Sequence, residues 1–174
     1  TKSISREHKV EISHGGLVSI MGGKWTTFRR MAEDTVDAAA PVGGLPTVEC
    51  RTKTLKLHGW MSREDPALPK EGHFQMYGSE ATAVHAFIDQ NEDWRKPLHP
   101  ALPYLRGQIS WAAHHEMAIC LEDVLARRTR SLLLNAKAAI EAAPDAARLM
   151  AAELGHDEAW VEAQVASFKE MAAG

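Results

Sequence analysis

Residues 21–30 read MGGKWTTFRR, and a glycine pair followed at once by a lysine is the stretch best equipped to hold an anion. Gly22 and Gly23 permit a backbone to approach a ligand closely. The helix expected to begin at Thr26 or Thr27 turns its positive end toward them, and Lys24 adds a mobile cation. A Walker A loop is excluded: its first glycine would fall at position 18 and its Ser or Thr at 25, where the chain has Val18 and Trp25. The plainer alternative is a chain-reversing turn with a solvated Lys24. Arg6 precedes Lys24 by eighteen residues. If the intervening runs form an antiparallel hairpin, the two cations meet at its outer ends and can flank one small anion; otherwise Arg6 is an ordinary surface arginine.

Other clusters carry less. HHEMA at 114–118 is not a zinc-binding HExxH, because Ile119 stands where the second histidine must be. Adjacent helical histidines point in different directions, which predicts one partly buried and one exposed. Arg127 to Arg130 follow Glu122 and Asp123, so ion pairing is favoured over an anion patch. Trp111 and Trp160 read as core anchors. No activated Ser or Cys and no carboxylate pair is evident.

The elements that must position these residues change character along the chain. Residues 8–13, HKVEIS, alternate as a half-buried strand does, and His14, Gly15 and Gly16 supply a turn. LVSIM at 17–21 is apolar enough for a strand covered on both faces. Phe28, Met31, Ala32, Thr35, Val36 and Ala39 then repeat at threes and fours, predicting a helix ended by Pro41, Gly43 and Gly44. Residues 43–78 read as a connector rich in Pro and Gly, with one strand expected over 52–58. From Ser79 the text is helical: one helix opens there, 97–103 is a proline-dotted loop, and the longest periodic run covers 108–134. Pro144 and Asp145 are placed to open a short helix that Gly155 ends. Asp157 can cap a last helix with Val161, Val165, Phe168 and Ala172 as its stripe. The expected class is mainly α: a β-hairpin with a helix over 1–42, a connector over 43–78, and a helical bundle over 79–174.

The composition narrows the function classes. A chain of 174 residues with net charge −3 and a sequence pI near 6.3 has no basic excess for nucleic acid, which is not expected as a partner. Cys50 and Cys120 lack a CxxC partner, so reduced thiols in an intracellular setting are the simpler reading. No apolar run reaches the ~18 residues of a membrane span, and TKSISREHK is no signal peptide, so a soluble polypeptide is expected. Thr1 opens inside strand-like text, as though the chain were cut from a longer protein.

ISREH at 4–8 and GLVSIMGGKWTTFRRMAEDTVDAA at 16–39 resemble the end of the flavin domain of the FAD-dependent glycerol-3-phosphate dehydrogenase and alpha-glycerophosphate oxidase family. EMAICLEDVLARRTRSLLLNAKAAIEAAP at 116–144 and LMAAELG at 149–155 resemble its helical C-terminal domain, in the family's order. The resemblance implies an oxidoreductase that converts sn-glycerol 3-phosphate to dihydroxyacetone phosphate. Hydride passes to flavin N5 and electrons go on to a membrane quinone, or to oxygen in the related oxidases. It implies that the hairpin and helix are the last part of an FAD-binding α/β domain. Gly22, Gly23, Lys24, Trp25 and Thr26 match the turn facing the flavin, and Arg6 and Lys24 match substrate-handling residues. No catalytic residue and no metal ligand are assigned. A cation and a helix start beside the flavin's N1–C2=O edge agree with that role, since charge develops there on reduction.

The sequence departs from the family pattern at Phe28, where the family usually has Tyr, and at His114, where many members have Arg. Its glycines at 15, 16, 22, 23, 43 and 44 never fall in the GxGxxG spacing that holds the FAD pyrophosphate. FAD is therefore expected in the full-length parent and not on these residues alone, which are expected to be inactive by themselves. The competing expectation is that 79–174 is an interaction module, serving oligomerisation or docking at a membrane surface. The setting implied is cytoplasmic, peripheral at the inner face of the plasma membrane, and the strand at 17–21, left as an open edge, favours self-association into a homo-oligomer.

Overall fold

The computed structural model describes residues 7–69 and 72–173. The chain divides into two compact units, Thr1–Leu57 and His58–Gly174. The first holds strand β1 (His8–Ile12), strand β2 (Val18–Gly22) and helix α1 (Phe28–Val42), with a 3-10 turn at Trp25–Thr27 between β2 and α1. The strands pair antiparallel from His8↔Gly22 to Ile12↔Val18. Their link is closed by Ser13 N–H donating to Leu17 O at 2.9 Å and Gly16 N–H to Ser13 O at 3.0 Å. Pro41 sits in the last turn of α1, and Gly43 N–H donates to Ala39 O at 2.9 Å as the helix ends.

Two sequence expectations change here. The run at 17–21 is not covered on both faces: Val18, Ser19 and Ile20 are half-buried while Leu17 and Met21 are exposed. The apolar stripe of α1 is also partly open, with Phe28 62% and Val36 64% exposed. Periodicity reports which residues share a face, and here the hairpin is too narrow to cover that face. The strand expected over 52–58 is absent, and Arg51 O accepts from Thr54 N–H in a turn at 3.4 Å instead. Two of its residues serve α1: Thr52 Oγ1 accepts from Arg29 at 3.2 Å and Lys53 approaches Glu33 at 3.6 Å.

The second unit holds α2 (Ala81–Ile88), α3 (Arg106–His115), α4 (Ser131–Leu134), α5 (Ala136–Leu154) and α6 (Glu158–Ala173), with a 3-10 stretch at His73–Glu80 leading into α2. Its larger core joins Ile109 and Ala112 of α3, Leu121, Val124 and Leu125, the alanines of α5, and Val161 and Phe168 of α6. A smaller one gathers Tyr77, Val84, Ile88 and Trp111. Helix α3 thus faces both, and buried Gln108 is satisfied between them: Oε1 accepts from Leu105 N–H and Nε2 donates to Tyr77 OH, each at 2.9 Å. Ala138, Ala139, Ala142, Ala143, Ala146 and Ala147 are buried along α5, whose small side chains let neighbouring helices approach closely.

The periodic run at 108–134 is broken. α3 ends at His115, Met117 takes φ 56°, Asp123–Arg128 is π-helical, and Arg130 takes φ 55° before α4. The Asp123 carboxylate accepts from the N–H groups of Ile119 at 3.1 Å and Cys120 at 3.2 Å, opening a new helical turn that side-chain spacing does not announce. Pro144 lies inside α5 instead of opening a helix, so tertiary packing on the alanine seam outweighs the lost main-chain bond. Gly155 closes α5 in the left-handed region, and Asp157 Oδ1 accepts from Trp160 N–H at 3.0 Å, as the sequence predicts.

Candidate functional site

In the first unit β2 delivers Gly22 and Gly23 to the start of α1. Both glycines adopt positive φ, 77° and 83°, a region where an L side chain is strained. Space also requires them: a Cβ on Gly22 would lie 2.7 Å from the Glu7 carbonyl oxygen, and one on Gly23 would overlap the Met31 thioether. Thr27 locks the turn from the other side, its Oγ1 accepting from Lys24 N–H at 3.1 Å and donating to Lys24 O at 2.9 Å.

Gly22, Gly23, Lys24 and Trp25 line one open concavity of about 630 Å³, completed by Ile20, Phe28, Met31 and the exposed stripe of α1. Trp25 is 88% exposed, with its ring centroid 6.0 Å from that of Phe28. The surface is apolar and aromatic with one cation at its rim, which suits a flat ring system carrying a polar or anionic edge. Thr26 does not line the concavity. Arg6 lies outside the described residues. Ile20 and Met31 also line it, and an apolar stripe reads the same in the sequence whether it meets protein or ligand.

Behind this surface α1 carries a charge network. Glu33, buried, accepts from Arg29 at 2.8 Å and Arg30 at 3.2 Å, with Lys53 near. The Arg29 hydrogen bond holds its carboxyl below the ordinary range against the opposing effect of burial. Asp34 is held low in the same sense, chiefly by its bond to His8 Nε2 at 2.7 Å and then by Arg30. The acids of this network are engaged there, leaving Lys24 exposed on the concavity.

The remaining sequence candidates resolve as structural. His114 and His115 are both exposed, which corrects the expectation of one partly buried ring, because α3 ends there and neither faces the core. His115 instead packs on Trp111, ring centroids 4.0 Å apart. Arg127 pairs with Asp123 at 2.6 Å and Glu122 at 2.7 Å, and Arg128 lies 3.6 Å from Glu116. Trp111 is buried, and Trp160 packs partly buried against the larger core. Among the described residues no group of three His, Cys, Asp or Glu side chains could hold a metal ion, and no helix is long and apolar enough to cross a membrane.

A family profile described as the C-terminal domain of alpha-glycerophosphate oxidase matches residues 50–161. The chain is 38% identical over 182 residues to a probable mitochondrial glycerol-3-phosphate dehydrogenase of Caenorhabditis elegans, covering 95% of this chain and 25% of that protein. It is 35% identical over 198 residues to the mitochondrial glycerol-3-phosphate dehydrogenase of Arabidopsis thaliana, covering 98% and 31%. To that of Homo sapiens it is 37% identical over 175 residues, covering 91% and 24%. The chain therefore spans between about a quarter and a third of the length of these relatives. No solved structure matches.

Proposed function

Because the chain belongs to the family of the C-terminal domain of alpha-glycerophosphate oxidase, we propose that it forms the C-terminal portion of an FAD-dependent enzyme that oxidises sn-glycerol 3-phosphate to dihydroxyacetone phosphate and passes electrons to a quinone. The observation that carries this reading is the Gly22–Gly23 turn, which opens an apolar, aromatic concavity with Lys24 at its rim. Side-chain-free backbone at 22 and 23 fits the close approach of a planar ring, so the residues present suit a flavin. When bound, the flavin supplies the hydride acceptor, a chemistry that none of the standard side chains provides.

The chain's own residues have distinct tasks. Gly22 and Gly23 let the main chain take the positive-φ turn, tight against Glu7 and Met31, that brings its backbone to the concavity. Lys24 stabilises negative charge at the ring edge or on the substrate phosphate, aided by the positive end of the helix that follows. Trp25 and Phe28 cover apolar ligand surface and keep water from it. Arg6 joins Lys24 as a second cation for the substrate phosphate, on the family resemblance of ISREH. The ADP half of FAD requires a phosphate-binding turn not found among these glycines, so the 174 residues alone are expected to retain no flavin and show no turnover.

Lys24→Ala and Lys24→Arg in the enzyme that carries this chain test the reading. Loss of a charge-assisted contact of roughly 1.5–3 kcal/mol predicts a rise in KM for glycerol 3-phosphate, or in the flavin dissociation constant, of about tenfold to a hundredfold. Lys24→Arg should recover part of it. Unchanged KM and flavin affinity in Lys24→Ala would overturn the assignment.

A second reading concerns the helical unit, which shows no catalytic constellation among its described residues yet exposes Met117 by 84%, Ile119 by 70% and Leu133 by 79%. These side chains favour a role in assembly or in peripheral docking at the cytoplasmic membrane face, where a quinone is reached. Deleting 79–174 discriminates: loss of membrane association with flavin retained supports docking, and loss of flavin supports a purely structural role.

A further inference from the structure

His8 is the first residue of β1 and pairs in register with Gly22, the last of β2. Its ring reaches across to α1, where Nε2 lies 2.7 Å from Asp34 Oδ2, and both side chains are largely withdrawn from solvent. Asp34 is held in turn by Arg30 at 2.9 Å. The same two elements form the walls around the glycine turn. The Glu7 carbonyl stands against Gly22, and His8 Cβ would lie 3.4 Å from a Cβ on Gly23, with Met31 of α1 on the other side. The room left for the turn is therefore set by the separation of β1 from α1, and His8–Asp34 is a hydrogen bond that spans it.

We propose that His8 and Asp34 are positioning residues for the Gly22–Gly23–Lys24 turn, holding its backbone at the distance from α1 that keeps the ligand-facing surface open. The inference rests on the reading of that turn as the ligand-facing element. Neither residue lines the concavity, so both act through the turn, not on the ligand. A bond between an imidazole and a carboxylate carries charge assistance and defined direction, which an apolar contact at the same place would lack.

The test compares His8→Ala, Asp34→Ala, their double variant and His8→Gln, whose side-chain amide can donate to the same carboxylate. The first readout needs no ligand: amide hydrogen exchange in the full chain. At Lys24, whose N–H is bonded to Thr27, exchange should rise about tenfold in each Ala variant, with no further rise in the double variant. The amides of Ile12 and Val18, at the far end of the hairpin, should change little, and His8→Gln should restore most of the protection at Lys24. The second readout is the flavin absorbance of the assembled enzyme, with KM and kcat for glycerol 3-phosphate. His8→Ala should perturb the spectrum and raise KM more than it lowers kcat, and His8→Gln should reverse both. Uniform acceleration of every hairpin amide would mark a general stability contact and overturn the assignment, as would an unchanged Lys24 amide. Altered turn amides with a wild-type flavin spectrum and KM would leave the positioning of the turn standing and sink the flavin-facing reading instead.

Discussion

Alanine at Gly22 and at Gly23 should damage the turn for different reasons, and one further substitution separates them. Both positions have φ near +80°, at 77° and 83°, where an L side chain costs roughly 1–2 kcal/mol. Overpacking adds about 1–3 kcal/mol, so each substitution should destabilise the first unit by roughly 2–5 kcal/mol. At Gly22 the added methyl meets the Glu7 carbonyl oxygen at 2.7 Å, a main-chain atom that cannot rotate aside. At Gly23 it meets the flexible end of Met31, whose Cε would be 2.8 Å away. Met31→Ala removes that obstacle. In its background Gly23→Ala should cost only the backbone component, roughly 1–2 kcal/mol, while the cost of Gly22→Ala should be unchanged. Peptide-resolved hydrogen exchange over the hairpin measures each cost in the unit concerned, independently of the helical unit. Equal costs for Gly23→Ala in both backgrounds would refute the steric argument, and no cost at either glycine would refute the geometry of the turn.

The helical unit supports two more expectations. Phe168, only 2% exposed in α6, fills the larger core, and Phe168→Ala should lower its stability by about 3–5 kcal/mol in urea unfolding; a shift below ~1 kcal/mol would mean the side chain is not packed as described. Burial alone would raise the Asp123 carboxyl, but the N–H groups of Ile119 and Cys120 and the Arg127 guanidinium outweigh it and hold the pKa at about 2, against an ordinary 3.8. The folded-state pKa is depressed, so this carboxylate contributes stability above pH 3.8 that is lost as pH falls toward about 2. Asp123→Asn, which keeps an acceptor, should flatten the stability curve in that window; an unchanged slope would count against the depressed carboxyl.

How far the sequence could be read depended on whether the deciding interaction was local. The hairpin, the Gly22–Gly23 turn, the start of α1 and the caps at Gly155 and Asp157 are set by neighbours within a few residues, and spacing and turn chemistry revealed them. The break after His115 was invisible, since Met117, Leu121, Val124 and Leu125 keep three-four spacing across a segment that is not one helix. Pro144 misled for the opposite reason, because its local preference yields to the alanine packing of α5. At the site, Lys24 and the glycines stood out by type, whereas Met31 and Ile20 looked like core and His8 carried no signal. Its role depends on Asp34, twenty-six positions away, which only the register of β1 against β2 and the packing of α1 bring within reach.

The most direct test of the central claim is anaerobic addition of sn-glycerol 3-phosphate to the purified flavin-loaded enzyme that carries this chain, followed by visible absorbance. The flavin band should bleach with sn-glycerol 3-phosphate, and Lys24→Ala should shift the half-bleaching concentration upward by about tenfold or more. A flavin band that persists with this substrate, or bleaching that Lys24→Ala leaves untouched, would contradict the claim.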